Sequence, residues 1–267
     1  MKLGILGCGQ MGEAILKGLL AADAVVQQNT VLTTKFDAHE QELKSRYPEI
    51  LVTQDNLKAA SQSEVVILAT NPQAARDVLV SCRDALKGKI VVSICAGIYL
   101  DKLTSWIPES NVVRVMPNTP CLIGEGTIAV SAQGDAKSAI PVVKDLFSNL
   151  GLCTVLDEKY LDVFTALASS GPAFAFVILE ALADGAVMMG LPREIAARTT
   201  AQMLQGSARL LLETGEHPAA LKDQVTTPGG ITTAGLLVME DGRIRSTLAR
   251  TIQKATNTSN KLGEKER

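Results

Sequence analysis

The stretch Lys2-Leu-Gly-Ile-Leu-Gly7-Cys8-Gly9-Gln10-Met11-Gly12 places the pattern G-x-G-x-x-G directly after an apolar run and at the opening of a helical segment. Gly7 allows a tight turn, Gly9 lets the backbone approach a pyrophosphate, and Gly12 permits close contact between helix and strand. Free amides at the helix N-terminus face the anion. The stretch therefore predicts a dinucleotide-binding loop; an incidental glycine-rich turn is the alternative.

Short apolar runs alternate with helical segments from this loop to about residue 156, which is the pattern of a parallel sheet with crossover helices. The predicted strands are Lys2–Leu6, Thr30–Thr34, Val65–Thr70, Ile90–Cys95 and Val112–Val115. The predicted crossover helices include Gly12–Ala22 and Gln73–Leu86. We therefore expect residues 1–156 to form an α/β domain of the Rossmann type, with a doubly wound parallel sheet that binds the dinucleotide.

The character of the sequence changes after Asp157, where strand-like runs disappear and helical stretches dominate. The predicted helices here include Lys159–Ser169, Pro172–Met189 and Pro192–Glu213. Apolar residues surround these helices and do not lie in one stripe, which favours packing against a second subunit. We expect residues 157–267 to be an all-helical domain for dimerisation and substrate binding. A large core within one chain is the alternative, although about 110 helical residues alone make a modest core.

The composition narrows the class of partner. The chain has 267 residues and a formal net charge of −2, and it offers no basic surface for nucleic acid. Five scattered cysteines and two distant histidines predict no metal site and no disulfide framework. A small-molecule partner is expected.

Targeting and membrane signals are also weak in the sequence. The N-terminus enters directly as a strand, without the pattern of a signal peptide, so we expect a cytoplasmic protein. Glu180 and Asp184 interrupt the apolar stretch Ala173–Met189 short of the ~20 residues that span a bilayer. We therefore interpret this stretch as a buried helix and expect no membrane partner.

The end of the second predicted strand bears on the choice of cofactor. NAD-binding sites of this kind usually carry a carboxylate there, whereas this strand ends Val31-Leu-Thr33-Thr34-Lys35. Two hydroxyls and a cation suit a 2′-phosphate, which favours NADPH over NADH. Asp37 keeps NADH open as the alternative, and Lys35 could equally be a solvated surface lysine.

Four stretches in order resemble the pyrroline-5-carboxylate reductase family. They are Gly7-Cys-Gly-Gln-Met-Gly12, Arg114-Val-Met-Pro-Asn-Thr-Pro120, Ala166-Leu-Ala-Ser-Ser-Gly-Pro-Ala-Phe174 and Thr227-Pro-Gly-Gly-Ile-Thr232. Many dehydrogenases share the first stretch, but the ordered set is specific. The resemblance implies hydride transfer from NADPH to the C=N carbon of Δ1-pyrroline-5-carboxylate, giving proline. It also implies homodimers, which in this family often assemble into larger rings.

The resemblance further implies which residues bind the cofactor and the substrate. The cofactor positions are Gly7, Cys8, Gly9, Gln10, Met11, Gly12, Thr33, Thr34, Lys35, Asn56, Ala69, Thr70, Asn71, Pro72, Cys95, Ala96 and Gly97. The substrate positions are Glu158, Asn118, Gly230, Ile231 and Thr232, of which Thr232 is the expected catalytic residue. The amides of Gly230–Thr232 would hold the substrate carboxylate at a helix N-terminus, with the Thr232 hydroxyl near the ring nitrogen.

Each substrate residue also has a structural interpretation. Thr232 could simply cap a helix, Glu158 could favour the first turn of one, and Asn118 could stiffen a turn by bonding its own backbone. The chain departs from the family pattern at Asn71, where a lysine is common, at Ser169, where a glycine is common, and at Ile231, where a threonine is common.

Two other functions stay open at this point. A related imine or β-hydroxyacid dehydrogenase would need Lys159 or Lys222 as a general acid. A nucleotide-binding sensor would keep the fold and the cofactor without turnover, although the intact stretches Met116–Pro120 and Pro228–Thr232 argue against it.

Overall fold

The apolar runs predicted as strands form one sheet in the computed structural model of the chain, which describes residues 1–265. The strands are β1 Leu3–Leu6, β2 Thr30–Thr33, β3 Leu51–Thr53, β4 Val65–Leu68, β5 Ile90–Ser93, β6 Asn111–Met116, β7 Gly126–Ala132 and β8 Gly151–Val155. Their order across the sheet is β3-β2-β1-β4-β5-β6-β7-β8. Strands β1 to β6 are parallel, which confirms the predicted doubly wound arrangement.

Three strands were not predicted from the sequence. β3 has three residues, of which only Val52 is buried, so its apolar signal is weak. β7 is built of small side chains around Ile128 and Val130, and it pairs with β6 in the antiparallel direction. β8 follows as an edge strand that leaves Leu152 exposed. The sheet is therefore mostly parallel, with β6 and β7 as its antiparallel pair.

Thirteen α-helices connect and follow the strands in residues 1–265. They are α1 Gln10–Ala21, α2 Asp37–Arg46, α3 Asn56–Gln62, α4 Pro72–Ser81, α5 Arg83–Leu86, α6 Leu100–Trp106, α7 Ile140–Ser148, α8 Leu161–Phe164, α9 Gly171–Met188, α10 Arg193–Thr214, α11 Pro218–Gln224, α12 Ile231–Asp241 and α13 Ile244–Lys265. The helix predicted over Lys159–Ser169 consists of a 3₁₀ turn, α8 and a π-helix, Thr165–Ser169.

Alternating side chains of the strands supply two cores, one on each face of the sheet. In β4, Val65 and Ile67 belong to one core, and Val66 and Leu68 belong to the other. The first core packs against α1 and α7, and the second packs against α3, α4 and α6. Because both faces are covered, the strands read as continuous apolar runs, and the loops at their ends remain free for binding.

The chain divides into two compact units. The first comprises Met1–Ser170 with the chain from Lys254 onward, and the second comprises Gly171–Gln253. In the first unit, Asp162 accepts hydrogen bonds from Ser259 Oγ at 2.7 Å and from Tyr99 Oη at 2.9 Å, which ties the end of α13 to the sheet domain. The functional division at residue 156 stays a prediction, and residues 266–267 of its second part lie outside the described residues.

The second unit buries little of its own apolar surface. Ala183 is the one buried residue of α9, while Phe176 and Met188 are 64% and 80% exposed. Within residues 1–265, the stretch Glu158–Met188 is long and apolar enough, by length and composition, to cross a membrane. The sequence-based expectation of a buried helix is therefore wrong for the single chain.

Candidate functional site

A cavity of about 560 Å³ opens where the chain leaves β1 and β4. These neighbouring strands are followed by crossovers in opposite directions along the sheet, which is the point at which open α/β sheets bind ligands. The cavity is lined by Gly7, Cys8, Gly9, Thr33, Thr34, Lys35, Phe36, His39, Gln54, Asn56, Ala69, Thr70, Asn71, Ala74 and Val78. Ten of these residues were predicted to contact a cofactor.

Two glycines of the first loop, Gly7 and Gly12, occupy positions where the geometry disfavours a side chain. Gly7 has φ +75°, and a Cβ there would lie 2.4 Å from Thr70 Cγ2. A Cβ on Gly12 would lie 3.1 Å from Ala69 Cβ, so the start of α1 sits tightly on the end of β4. A Cβ on Gly9 would meet only the Gly7 carbonyl oxygen at 4.0 Å, which leaves this backbone open to a ligand. The predicted turn at Gly7 and the close helix–strand contact at Gly12 agree with this geometry, and the pyrophosphate role of Gly9 stays a prediction.

The free backbone amides lie further along the loop than the glycine pattern suggests. The Cys8 N–H donates to Thr33 O at 2.6 Å, and the Gly9 N–H donates to Gly7 O at 2.7 Å. Gly9 precedes α1 without a side-chain cap, so the first amides of the helix, at Gln10, Met11 and Gly12, have no intrahelical acceptor. These amides fit a pyrophosphate better than those of the turn itself.

Two predicted cofactor residues, Thr33 and Asn56, fix the position of the glycine loop through hydrogen bonds. The Thr33 hydroxyl accepts a hydrogen bond from the Gly7 N–H at 2.9 Å and donates one to Asn56 Oδ1 at 2.6 Å. Thr33 is only 1% exposed. Its hydroxyl therefore fixes the first loop to β2 and to the start of α3.

The residues after β2 form the polar end of the cavity. Thr34 Oγ1 lies 3.0 Å from His39 Nδ1, and Lys35 makes no ion pair with another residue between 1 and 265. Phe36 is 68% exposed at the same cavity. His39, Phe36 and Gln54 were missed in the sequence. The available signal was the position of His39 in the first turn of α2, which brings it back toward the end of β2.

The ends of β4 and β5 complete the predicted cofactor set. Ala69, Thr70 and Asn71 line the cavity, and Pro72 begins α4 beside them. The loop Cys95–Gly97 lies outside the lining, but Cys95 Sγ is 3.3 Å from the Thr70 carbonyl oxygen. Burial, and then the charge of Glu13, raise the pKa of Cys8 to about 12, so this thiol is neutral and unreactive at neutral pH.

The second unit contains the predicted substrate residues of the Pro-Gly-Gly turn. Gly229 has φ +67°, and the turn leads into α12. Gly230 is the N-cap residue of α12, and no side chain caps the helix there. The Gly230 N–H donates to Thr227 O at 3.0 Å, which leaves the amides of Ile231 and Thr232 at the helix start. Thr232 is thus the second helical residue and does not serve as the cap. We call the segment Thr227–Thr232 the anion cradle.

Glu158 and Asn118 are engaged within the first unit. Glu158 accepts hydrogen bonds from Arg114 Nη1 at 3.0 Å, from the Leu100 N–H at 2.7 Å and from Gln133 Nε2 at 3.1 Å. Asn118 Nδ2 donates to Ala168 O at 3.0 Å, and its Oδ1 accepts from the Thr127 N–H at 2.9 Å. These contacts favour a structural role for both side chains, and their substrate roles stay predictions.

The chain is similar to known proteins along its whole length. The family model for pyrroline-5-carboxylate reductase dimerisation matches residues 158–262, and that for NADP oxidoreductase, coenzyme F420-dependent, matches residues 2–97. The pyrroline-5-carboxylate reductase of Synechocystis is 38% identical over 99% of both chains, and that of Schizosaccharomyces pombe is 37% identical over 97% of this chain and 98% of its own. The chain belongs to the pyrroline-5-carboxylate reductase family.

Solved structures of pyrroline-5-carboxylate reductases have the same fold. The Plasmodium falciparum enzyme, crystallised with NADP bound, superposes with a TM-score of 0.90 at 29% identity, covering 98% of each chain. The Coxiella burnetii enzyme gives a TM-score of 0.88, also at 29% identity and 98% coverage of each chain. The resemblance inferred from four short stretches therefore extends over the full length, including the dimerisation region.

Ser169 stands where the family commonly has a glycine, and its side chain makes a hydrogen bond within this reductase. Its hydroxyl donates to Pro117 O at 2.9 Å, next to the bond from Asn118 to Ala168 O. The two bonds join the loop Met116–Pro120 to the π-helix Thr165–Ser169, a rare helix form often found at functional sites. A glycine at position 169 could not make the first of these bonds.

The lysines required by a β-hydroxyacid dehydrogenase are occupied elsewhere. Lys159 Nζ lies 4.0 Å from Asp157 Oδ2 and 4.8 Å from the centre of the Tyr160 ring. Lys222 Nζ lies 2.9 Å from Asp223 Oδ1. Neither arrangement favours the general acid of that alternative.

Proposed function

We propose that the chain is a pyrroline-5-carboxylate reductase, which transfers hydride from NADPH to the C=N bond of Δ1-pyrroline-5-carboxylate and forms L-proline in the last step of proline biosynthesis. The observation that carries this proposal is likeness along the whole chain to enzymes of that name, at 38% identity over 99% of both chains for Synechocystis. The cavity and the anion cradle supply the two binding chemistries that such a reaction needs.

The cavity fits a nicotinamide dinucleotide. Gly9 leaves room for close backbone approach, and the uncapped start of α1 presents amides to a pyrophosphate. Thr34, Lys35 and Asn71 lie along the same cavity and would contact the rest of the cofactor, with NADH as the alternative to NADPH. When bound, the cofactor supplies the hydride, and the protein supplies position and electrostatics.

The anion cradle fits the carboxylate of the substrate. The amides of Ile231 and Thr232 stand at the positive end of the α12 dipole, where a carboxylate is stabilised. Ile231 is 94% exposed, so its part is played by the backbone amide. We assign the Thr232 hydroxyl to the ring nitrogen of the imine, which it would orient by a hydrogen bond.

Glu158 and Asn118 enter the proposal through the family resemblance. The structural support is for positioning: Glu158 holds the buried Arg114, and Asn118 holds the loop Met116–Pro120 through Ala168. In this proposal both residues shape the substrate side of the enzyme without donating a proton.

The proposed enzyme is a soluble, cytoplasmic homodimer. Assembly of such dimers into a larger ring is the alternative. The match to a reductase dimerisation domain over residues 158–262 supports self-association. Exposed apolar side chains such as Phe176, Val177 and Met188 provide the surface, which a second copy would cover. In such a dimer α9 is an interface helix, which accounts for its apolar character without a membrane.

The test is the loss of reduced-nicotinamide absorbance when the purified protein meets Δ1-pyrroline-5-carboxylate with NADPH or NADH. We expect rapid loss with NADPH. The control is Gly7→Ala, in which the added Cβ would meet Thr70 at 2.4 Å, and which should lose cofactor binding. Cofactor binding by the wild-type protein without any oxidation would contradict the proposal and favour a nucleotide sensor.

A further inference from the structure

The polar end of the cavity, at Thr34, Lys35 and His39, carries an inference about cofactor selectivity that rests on the proposed function. Selectivity between NADPH and NADH depends on the groups around the 2′ position of the adenosine ribose. A carboxylate there favours the free hydroxyls of NADH, whereas cations and hydrogen-bond donors favour the phosphate of NADPH. The positions of the carboxylates in this region therefore bear on selectivity.

Asp37 and Glu40, the two carboxylates at the start of α2, both accept hydrogen bonds from Gln54. Gln54 Nε2 donates to Asp37 and to Glu40, the latter at 2.8 Å. Glu40 also pairs with Lys44 Nζ at 2.6 Å, and the hydrogen bonds from Lys44 and Gln54 lower the pKa of its carboxyl. Neither Asp37 nor Glu40 lines the cavity. Asp37, the carboxylate that left NADH as the alternative cofactor in the sequence analysis, is thus hydrogen-bonded to Gln54.

The hydroxyl of Thr33 is also not available to bind a phosphate. It is buried, and it bonds both the Gly7 N–H and Asn56 Oδ1, which uses its donor and one acceptor position. The groups that line this end of the cavity and can donate to a phosphate are therefore Lys35, His39 and the Asn56 amide, since the Thr34 hydroxyl is paired with His39.

His39 is oriented by its neighbour. Its Nδ1 lies 3.0 Å from Thr34 Oγ1. When the hydroxyl donates to Nδ1, the ring proton lies on Nε2, which makes no hydrogen bond with another residue between 1 and 265. A histidine fixed in this way presents one N–H donor at the cavity wall.

We propose that His39 is a specificity-determining residue that binds the 2′-phosphate of NADPH through Nε2, with Thr34 as the residue that positions its ring and Lys35 as the accompanying cation. The side chain acts on the phosphate alone, since NADH offers only a ribose hydroxyl at this place. His39 thus contributes to the difference in affinity between the two cofactors and not to their common binding.

The test is isothermal titration calorimetry of NADP⁺ and NAD⁺ with the full chain and with His39→Ala. Loss of one charge-assisted hydrogen bond should raise the Kd for NADP⁺ about tenfold or more, while the Kd for NAD⁺ changes less than about twofold. His39→Gln, which keeps a donor of similar reach, should recover part of the NADP⁺ affinity. The matched control is His217→Ala, since the chain has only two histidines and His217 caps α11 in the other unit.

The outcomes separate this inference from the proposed function. Equal weakening of both nucleotides in His39→Ala, or no change in either, would overturn the role of His39. Retained NAD⁺ binding shows that the variant is folded, so a selective loss of NADP⁺ supports the role. A wild-type protein that discriminates through His39 but does not reduce the imine would sink the proposed function and leave this inference standing. A wild-type protein that binds neither nucleotide would overturn both.

Discussion

Thr232 tests the substrate chemistry at the scale of one residue. Its hydroxyl makes no hydrogen bond with another residue between 1 and 265, and it stands at the second position of α12. We predict that Thr232→Ala lowers kcat for the cyclic imine about tenfold, because it removes one hydrogen bond to the ring nitrogen. Thr232→Ser should keep most of the activity, because it retains the hydroxyl. Steady-state kinetics with NADPH checks both, and equal activity of the alanine and wild-type enzymes would rule out the assigned role.

Glu13 provides a pH-dependent prediction. Burial alone would raise the pKa of its carboxyl, but hydrogen bonds from Arg46, Lys17 and Tyr47 outweigh burial and lower the pKa. A carboxyl with a lowered pKa in the folded state stabilises the fold above its unfolded pKa of about 4.3, and this contribution is lost as the pH falls through the folded value. We predict that Glu13→Gln lowers the free energy of unfolding by about 1 kcal/mol at pH 7.

Urea unfolding at pH 7 and near pH 3 measures this effect. The difference between Glu13→Gln and wild type should shrink at the lower pH. Glu42→Gln is the matched control, because Glu42 pairs with the same Arg46 but its side chain is 57% exposed, so its loss should cost under about 0.5 kcal/mol. A pH-independent difference for Glu13→Gln would contradict the account.

Single residues were predictable where backbone geometry dictates them. Gly7 follows from a turn with positive φ, which favours glycine, and Gly12 follows from the close packing of α1 on β4. Thr33 was placed correctly at the end of β2, but its hydroxyl turns toward Gly7 and Asn56, and a strand pattern does not specify a side-chain torsion. His39 was missed because its contact with Thr34 depends on how α2 lies against the end of β2.

At the scale of elements, the join between the loop Met116–Pro120 and the π-helix depends on Ser169. We predict that Ser169→Ala lowers the free energy of unfolding by about 1 kcal/mol, the net value of one partly buried hydrogen bond to Pro117 O. Ser170→Ala, one residue along the same chain, should change it by less than about 0.5 kcal/mol. Urea unfolding of both variants is the measurement, and equal effects would show that the hydroxyl of Ser169 does not join these elements.

Elements were predictable in proportion to the length of their apolar runs. β1, β4 and β5 are four-residue, mostly aliphatic runs with both faces buried or nearly so, which a sequence displays directly. β3 and β8 are short or exposed, and β7 relies on pairing with β6 across the sheet. The π-helix at Thr165–Ser169 has no distinct sequence period, so a continuous helix was the natural expectation.

At the scale of the whole molecule, the apolar surface of the second unit predicts self-association. We expect the purified chain to elute as a dimer or a multiple of it in size-exclusion chromatography with light scattering. Met188→Glu, which places a charge on a side chain that is 80% exposed in the single chain, should shift the population toward monomer. Lys222→Glu in the same unit is the control, and a wild-type monomer would contradict the expectation.

The most direct test of the central claim uses NADPH deuterated at the transferred position, with Δ1-pyrroline-5-carboxylate as the acceptor. Hydride transfer to the C=N carbon predicts proline that carries one deuterium at C5, detected by mass spectrometry and by the missing proton signal at that carbon. Proline without deuterium, or oxidation of NADPH without proline, would contradict the assignment of this chain as an imine reductase.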